Sequence, residues 1–168
     1  MAQTSNNPSP QAFYSVDTSS FMDWQTRYYP VDIFSSLTAK IDSLITEGRL
    51  RAPELVLDEI KAVGTTDLTS WTKARKALII PTRELLAAAQ RIQAAFPGLI
   101  DPKAQYEEAD AYVIALAQMR NGIVVTQETA AAEKRKPLRS HYIPDVCREL
   151  GVPCFSLLGM MRRERWAF

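Results

Sequence analysis

Apolar residues follow two rhythms along this chain. Some form short, mostly apolar runs: Phe13-Tyr14-Ser15-Val16, Ile123-Val124-Val125-Thr126 and Val152-Pro153-Cys154-Phe155. Runs of this length, bounded by polar or turn residues, predict buried strands. Arg49-Leu50-Arg51-Ala52 predicts a short strand or extended link, and Leu78-Ile79-Ile80 is apolar up to Pro81.

Elsewhere apolar residues recur at helical spacing. Ile33, Phe34, Leu37, Ile41, Leu44 and Ile45 predict a helix that Pro30 can start and Gly48 stops. Pro53 opens a second helix to about Val63, halted by Gly64, and Trp71 to Ala77 predicts all or part of another. Thr82 suits an N-cap for a helix with Leu85, Leu86, Ala89 and Ile92 inward, ending near Phe96. Ala109 to Arg120 is a strongly apolar helix closed by Asn121-Gly122. Pro144 to Leu150, stopped by Gly151, and Leu157 to Arg165 complete the set. The segments 65–70, 97–106 and 128–140 are polar or loop-like.

Strands alternating with helices predict an α/β fold with a central parallel sheet flanked by helices on both faces. A length of 168 residues suits one domain, predicted over 13–168 behind a polar, disordered leader at 1–12. The leader lacks the basic start and apolar middle of a signal peptide, and no run approaches the roughly 20 apolar residues of a membrane span. Two cysteines are too few for a disulfide scaffold, so the chain is expected in the cytoplasm, away from membranes. A net charge of +1 gives no global field to attract a polyanion, leaving that to local basic patches.

Four carboxylates stand where apolar elements meet their ends or interiors. Asp17 follows the first strand, Glu59 lies in Leu55-Val56-Leu57-Asp58-Glu59-Ile60, Asp110 opens an apolar helix, and Glu128 follows Ile123 to Thr126. Burying acids is costly unless they are paired or bind a metal. In open α/β sheets the functional crevice lies at the carboxyl ends of strands. Such a set suits a hard divalent cation, Mg²⁺ or Mn²⁺, and so a metal-dependent phosphodiesterase. The alternative for each acid alone is a helix cap or surface charge. Asp58 competes with Glu59, since adjacent helical residues point about 100° apart. Thr18, Ser19 and Thr126 are placed to hydrogen-bond the acids, or to serve as ordinary turn residues.

Lys134, Arg135, Lys136 and Arg139, and separately Arg162, Arg163 and Arg165, are candidate phosphate contacts. Trp24, Tyr28 and Tyr29 are candidates for stacking on unpaired bases, or else core or interface residues. His141, Cys147 and Cys154 match no standard zinc spacing, and the cysteines read as small buried residues.

Taken in order, these strings resemble the PIN domain, the nuclease fold of VapC-type toxins. Tyr14-Ser15-Val16-Asp17-Thr18-Ser19 resembles its first strand and acid. Glu59 stands where its second acid is expected, and Ala109-Asp110-Ala111-Tyr112-Val113-Ile114-Ala115-Leu116-Ala117 resembles the helix of the third. Val124-Val125-Thr126-Gln127-Glu128 resembles the strand that supplies the fourth, with Glu in place of the commoner Asp. The likeness is closer to a branch of uncharacterised prokaryotic PIN-like proteins, through Ile143-Pro144-Asp145-Val146-Cys147 and Leu150-Gly151-Val152-Pro153-Cys154.

The resemblance implies a Mg²⁺- or Mn²⁺-dependent endoribonuclease cutting single-stranded RNA, with Asp17, Glu59, Asp110 and Glu128 as metal-binding and catalytic residues. It also implies a toxin restrained by an antitoxin, and a dimer or antitoxin interface is expected over Val31 to Glu47. A non-catalytic PIN-like module that binds RNA or protein is the alternative. An aspartyl phosphotransferase is a third reading, against which Asp17-Thr18-Ser19 lacks an acid two residues after the first.

Overall fold

The computed structural model describes residues 11–168. The predicted leader lies outside the described residues except for its last two positions. Of these, Ala12 packs on the core and its carbonyl accepts a hydrogen bond from Arg49 Nε at 3.1 Å.

Five strands form one parallel sheet: β1 (Tyr14–Val16), β2 (Leu50–Pro53), β3 (Ile79–Ile80), β4 (Ile123–Val125) and β5 (Cys154–Phe155), in the order β3-β2-β1-β4-β5. Every residue of β1 and β4 is buried, as expected of central parallel strands covered on both faces. That double burial is why β4 reads as a continuous apolar run, and β1 as one broken only by Ser15. Ser15, the polar residue of β1, is satisfied by donating to the Val113 carbonyl at 2.7 Å.

The helices are α1 (Thr18–Met22), α2 (Ser35–Thr46), α3 (Glu54–Val63), α4 (Thr66–Lys73), α5 (Thr82–Ala95), α6 (Asp110–Met119), α7 (Ile143–Leu150) and α8 (Leu157–Arg163). α3 packs against α1 and α4, and α6 against α5 and α7, the two groups that right-handed crossovers would set on opposite faces of the sheet. The strand order reverses between β1 and β4, which opens a crevice at their carboxyl ends. Among the described residues no helix is long and apolar enough to cross a membrane.

Four local expectations change, one of them Leu86, read as inward on α5 yet 40% exposed beside the buried Leu85, Ala89 and Ile92. α2 starts at Ser35, because Pro30 instead closes a turn in which Phe34 N donates to its carbonyl at 2.8 Å. The buried stripe is therefore Leu37, Ile41, Leu44 and Ile45, while Ile33 is 71% exposed. α4 starts in the polar segment before Trp71, where the Thr65 hydroxyl accepts from Leu68 N at 3.2 Å and caps it. Finally, α1 runs on into a wider π-type turn, Asp23–Tyr28, that carries Trp24 into the core. Its ring meets Trp71 edge to face at 4.7 Å between centroids. Trp24 is thus a packing residue with no face open to a base.

Candidate functional site

The ladder between β1 and β4 pairs Val16 with Val125, so Asp17 and Thr126 leave neighbouring strands side by side. Thr126 Oγ1 donates to Asp17 Oδ2 at 2.9 Å, and Ser19 Oγ donates to the same oxygen at 2.5 Å. Ser19 N approaches it at 3.3 Å, which makes Asp17 the N-cap of α1. The aspartate is nearly buried, yet its carboxylate lines an open cleft of about 300 Å³.

Glu59 enters this cleft from α3. One of its oxygens accepts from the Thr18 hydroxyl, and the other from Ala109 N at 2.9 Å, just ahead of α6. The adjacent Asp58 faces solvent and pairs with Lys61 at 2.8 Å, so the phase of α3 selects Glu59. Asp110 is the first residue of α6. Glu128 follows β4, and its Oε2 accepts from Ile143 N at 3.1 Å, at the start of α7. Asp17, Glu59, Asp110 and Glu128 therefore line one cleft at the strand-order reversal. Thr18, Ser19 and Thr126 each donate to one of these carboxylates.

Two residues complete the cluster. Glu108 lines the same cleft, fixed by Asp101 N donating at 2.8 Å. Its position in Glu107-Glu108-Ala109-Asp110 is the sequence signal for it. Arg139, expected as a phosphate contact, turns inward instead. Its guanidinium lies 3.3 Å from Glu108, 3.1 Å from Asp110 and 3.5 Å from Glu128, with 12% of the side chain exposed. Lys134 stacks its ammonium 4.1 Å from the Tyr142 ring centroid, while Arg135 and Lys136 are exposed. Arg27 and the exposed Tyr106 stand at the rim, and neither was a candidate from sequence.

Negative charge in the cleft exceeds its compensation. Burial, then like charge from Glu128 and Asp17, raises the Asp110 carboxyl well above the usual range, against the pull of Arg139. Burial and Asp17 raise Glu128 despite the Ile143 N–H and nearby cations. Burial also raises Glu59, opposed by its bonds from Thr18 and Ala109. Burial disfavours the Arg139 charge, but Asp110, Glu108 and Glu128 outweigh it and hold its pKa above normal.

All-oxygen donors with surplus negative charge fit a hard divalent cation by chemistry. Among the described residues, however, no three His, Cys, Asp or Glu side chains form a ready metal-binding group, and Arg139 spans three of the acids.

The remaining candidates lie elsewhere. His141 pairs with Glu149 at 3.4 Å, and Cys147 and Cys154 are unbonded thiols. Asp145, in the C-terminal signature, accepts from Tyr142 N at 3.0 Å and Ala131 N at 2.8 Å, tying the loop after β4 to α7. Arg162, Arg163 and Arg165 are exposed at the end of α8, on a different element from the cleft.

No curated protein matches the sequence. Residues 14–168 match the family described as a domain of unknown function, DUF4411, and the chain belongs to that family.

Proposed function

We propose that this protein is a Mg²⁺- or Mn²⁺-dependent endoribonuclease that hydrolyses phosphodiester bonds in single-stranded RNA. The observation that carries the reading is the convergence of Asp17, Glu59, Asp110 and Glu128 on one cleft where the strand order reverses. The resemblance to PIN nucleases supplies the reaction class, and the surplus of negative charge supplies the demand for a cation.

Asp17 and Asp110 would hold the ion directly, with Glu59 and Glu128 beside them. A bound divalent cation polarises a phosphoryl oxygen and acidifies water. Ser19 and Thr126 orient Asp17 through their hydroxyls, and Thr18 with Ala109 N orients Glu59. Hydrolysis adds water across one P–O bond, leaving a phosphate monoester on one fragment and a hydroxyl on the other. Tyr106 offers an exposed ring to a base at the rim, and Arg135 and Lys136 offer exposed charge to the backbone. A second cavity, of about 500 Å³, meets the cleft at Glu128 and has room for an adjoining nucleotide.

A role as the toxin of a toxin–antitoxin pair rests on the same resemblance. The exposed Val31 and Ile33, beside the Phe34–Phe168 ring contact, offer an apolar surface for an antitoxin or a second copy. The thiols of Cys147 and Cys154 suit a reducing cytoplasm. One observation favours a second reading. Arg139 joins three of the acids into a self-contained ion network, as a non-catalytic PIN-like binding module would tolerate.

Incubating the purified protein with a mixed RNA pool, with and without MnCl2, separates the two readings. Mn²⁺-dependent cleavage that Asp17→Asn abolishes supports the nuclease. RNA retention without cleavage at any metal concentration supports the module.

A further inference from the structure

We propose that Arg139 is the built-in counter-cation of the carboxylate cleft, and that it competes with a divalent cation for Asp110 and Glu128. The inference rests on the metal-dependent reading above and adds what sets the affinity of that site.

Arg139 comes from a polar loop, yet its head is buried among acids. Nη1 donates to the Leu99 carbonyl at 2.7 Å and lies 3.1 Å from Asp110 Oδ2 and 3.3 Å from Glu108 Oε1. Nη2 reaches Glu128 Oε1 at 3.5 Å, and the guanidinium sits 4.8 Å from the Tyr142 ring centroid. These partners fall into two groups. Asp110 and Glu128 are candidate metal ligands. Leu99, Glu108 and Tyr142 are not, and Glu108 is itself fixed by Asp101 N at 2.8 Å.

A cation that takes Asp110 and Glu128 therefore breaks two ion pairs, while the other three contacts keep the guanidinium in the cleft. Its positive charge then stands close to the ion. Both effects weaken cation binding. Without metal, the same contacts hold the acids together against their mutual repulsion. Arg139 is thus a positioning residue that lowers the affinity of the site while keeping it assembled.

The test is Mn²⁺ titration by calorimetry on the full chain without RNA, for wild type, Arg139→Gln and Arg139→Lys. Arg139→Gln is expected to bind Mn²⁺ at least about tenfold more tightly, because a charge within a few ångströms of the ion is removed. Its metal-free melting temperature should fall, and Mn²⁺ should restore it. Arg139→Lys retains a charge but not the fork that reaches three acids, so its affinity should lie between the two. A merely structural arginine predicts the opposite sign, since loosening Asp110 and Glu128 weakens binding.

Unchanged or weaker Mn²⁺ affinity in Arg139→Gln overturns the proposal. If that variant does not fold, unchanged or weaker affinity in Arg139→Lys overturns it. Wild type that binds Mn²⁺ with no gain in the variants sinks this inference alone. Wild type that binds no Mn²⁺ sinks both this inference and the metal-dependent nuclease.

Discussion

Replacing Asp17 separates the fold's need for this side chain from the cleft's need for its charge. Asp17 Oδ2 accepts from Ser19 N, Ser19 Oγ and Thr126 Oγ1, and so caps α1. Asparagine can place an amide oxygen at the same point and is an equally good cap, but it carries no charge. Alanine supplies neither. Losing the cap costs about 1 kcal/mol, and the Thr126 hydroxyl, left without its buried acceptor, adds about 1–2 kcal/mol. For a chain of 168 residues each kcal/mol moves the melting temperature by about 2–4 °C. Asp17→Ala should thus melt about 4–12 °C below Asp17→Asn, which loses the same charge.

Asp17→Asn should melt at or above wild type without metal, because the Asp17 charge raises Asp110, Glu128 and Glu59. Mn²⁺ at a hundred times its Kd should stabilise wild type by about 2.7 kcal/mol, or about 5–11 °C, and should leave both variants unmoved. Thermal unfolding followed by circular dichroism, with and without MnCl2, reads all of this. An Asp17→Asn variant that melts well below wild type without metal, or gains as much from Mn²⁺ as wild type does, would rule out this role for the Asp17 charge.

Without metal, ionising Asp110 should oppose folding, because burial and then Glu128 and Asp17 raise its folded pKa. The stability of its protonated form is complete below the unfolded range, at about pH 4, and is lost as pH rises through the raised value. The melting temperature of Asp110→Asn minus that of wild type should therefore grow from about pH 4.5 upward, and a pH-independent difference would refute this. Trp24→Ala should cost about 3–5 kcal/mol in chemical denaturation, since the ring is buried against Trp71. A cost under about 1 kcal/mol would return Trp24 to the surface. Arg135→Ala should weaken RNA binding and reduce the salt slope by about one, with Mn²⁺ affinity unchanged, and calorimetry at several salt concentrations checks both.

The sequence made the scaffold of the cleft legible for a physical reason. Central parallel strands are buried on both sides, so β4 appears as an unbroken apolar run and β1 as one interrupted only by Ser15, and the acids that follow them stand out. The sequence left Asp58 as an alternative to Glu59, and the phase of α3, with Val56 and Ile60 buried, selects Glu59. Arg139 was legible only as one more cation in a polar loop. Nothing in its neighbours along the chain signals partners supplied by α6 and by the end of β4. Glu108 had one signal, its place two residues before Asp110, but the charge run around it reads as solvated. Trp24 stood open between stacking and core, and it is core; Thr18, Ser19 and Ser20 carry no apolar rhythm, so the turn that inserts the ring is invisible before the fold exists.

These carboxylates are proposed to form one cation site. Diffraction from a crystal grown with MnCl2, with data collected for the anomalous signal of manganese, tests it most directly. A peak should lie within bonding distance of both Asp17 and Asp110, with Glu59 and Glu128 around it. A cleft with no peak at saturating Mn²⁺, or manganese bound only elsewhere on the protein, would contradict it.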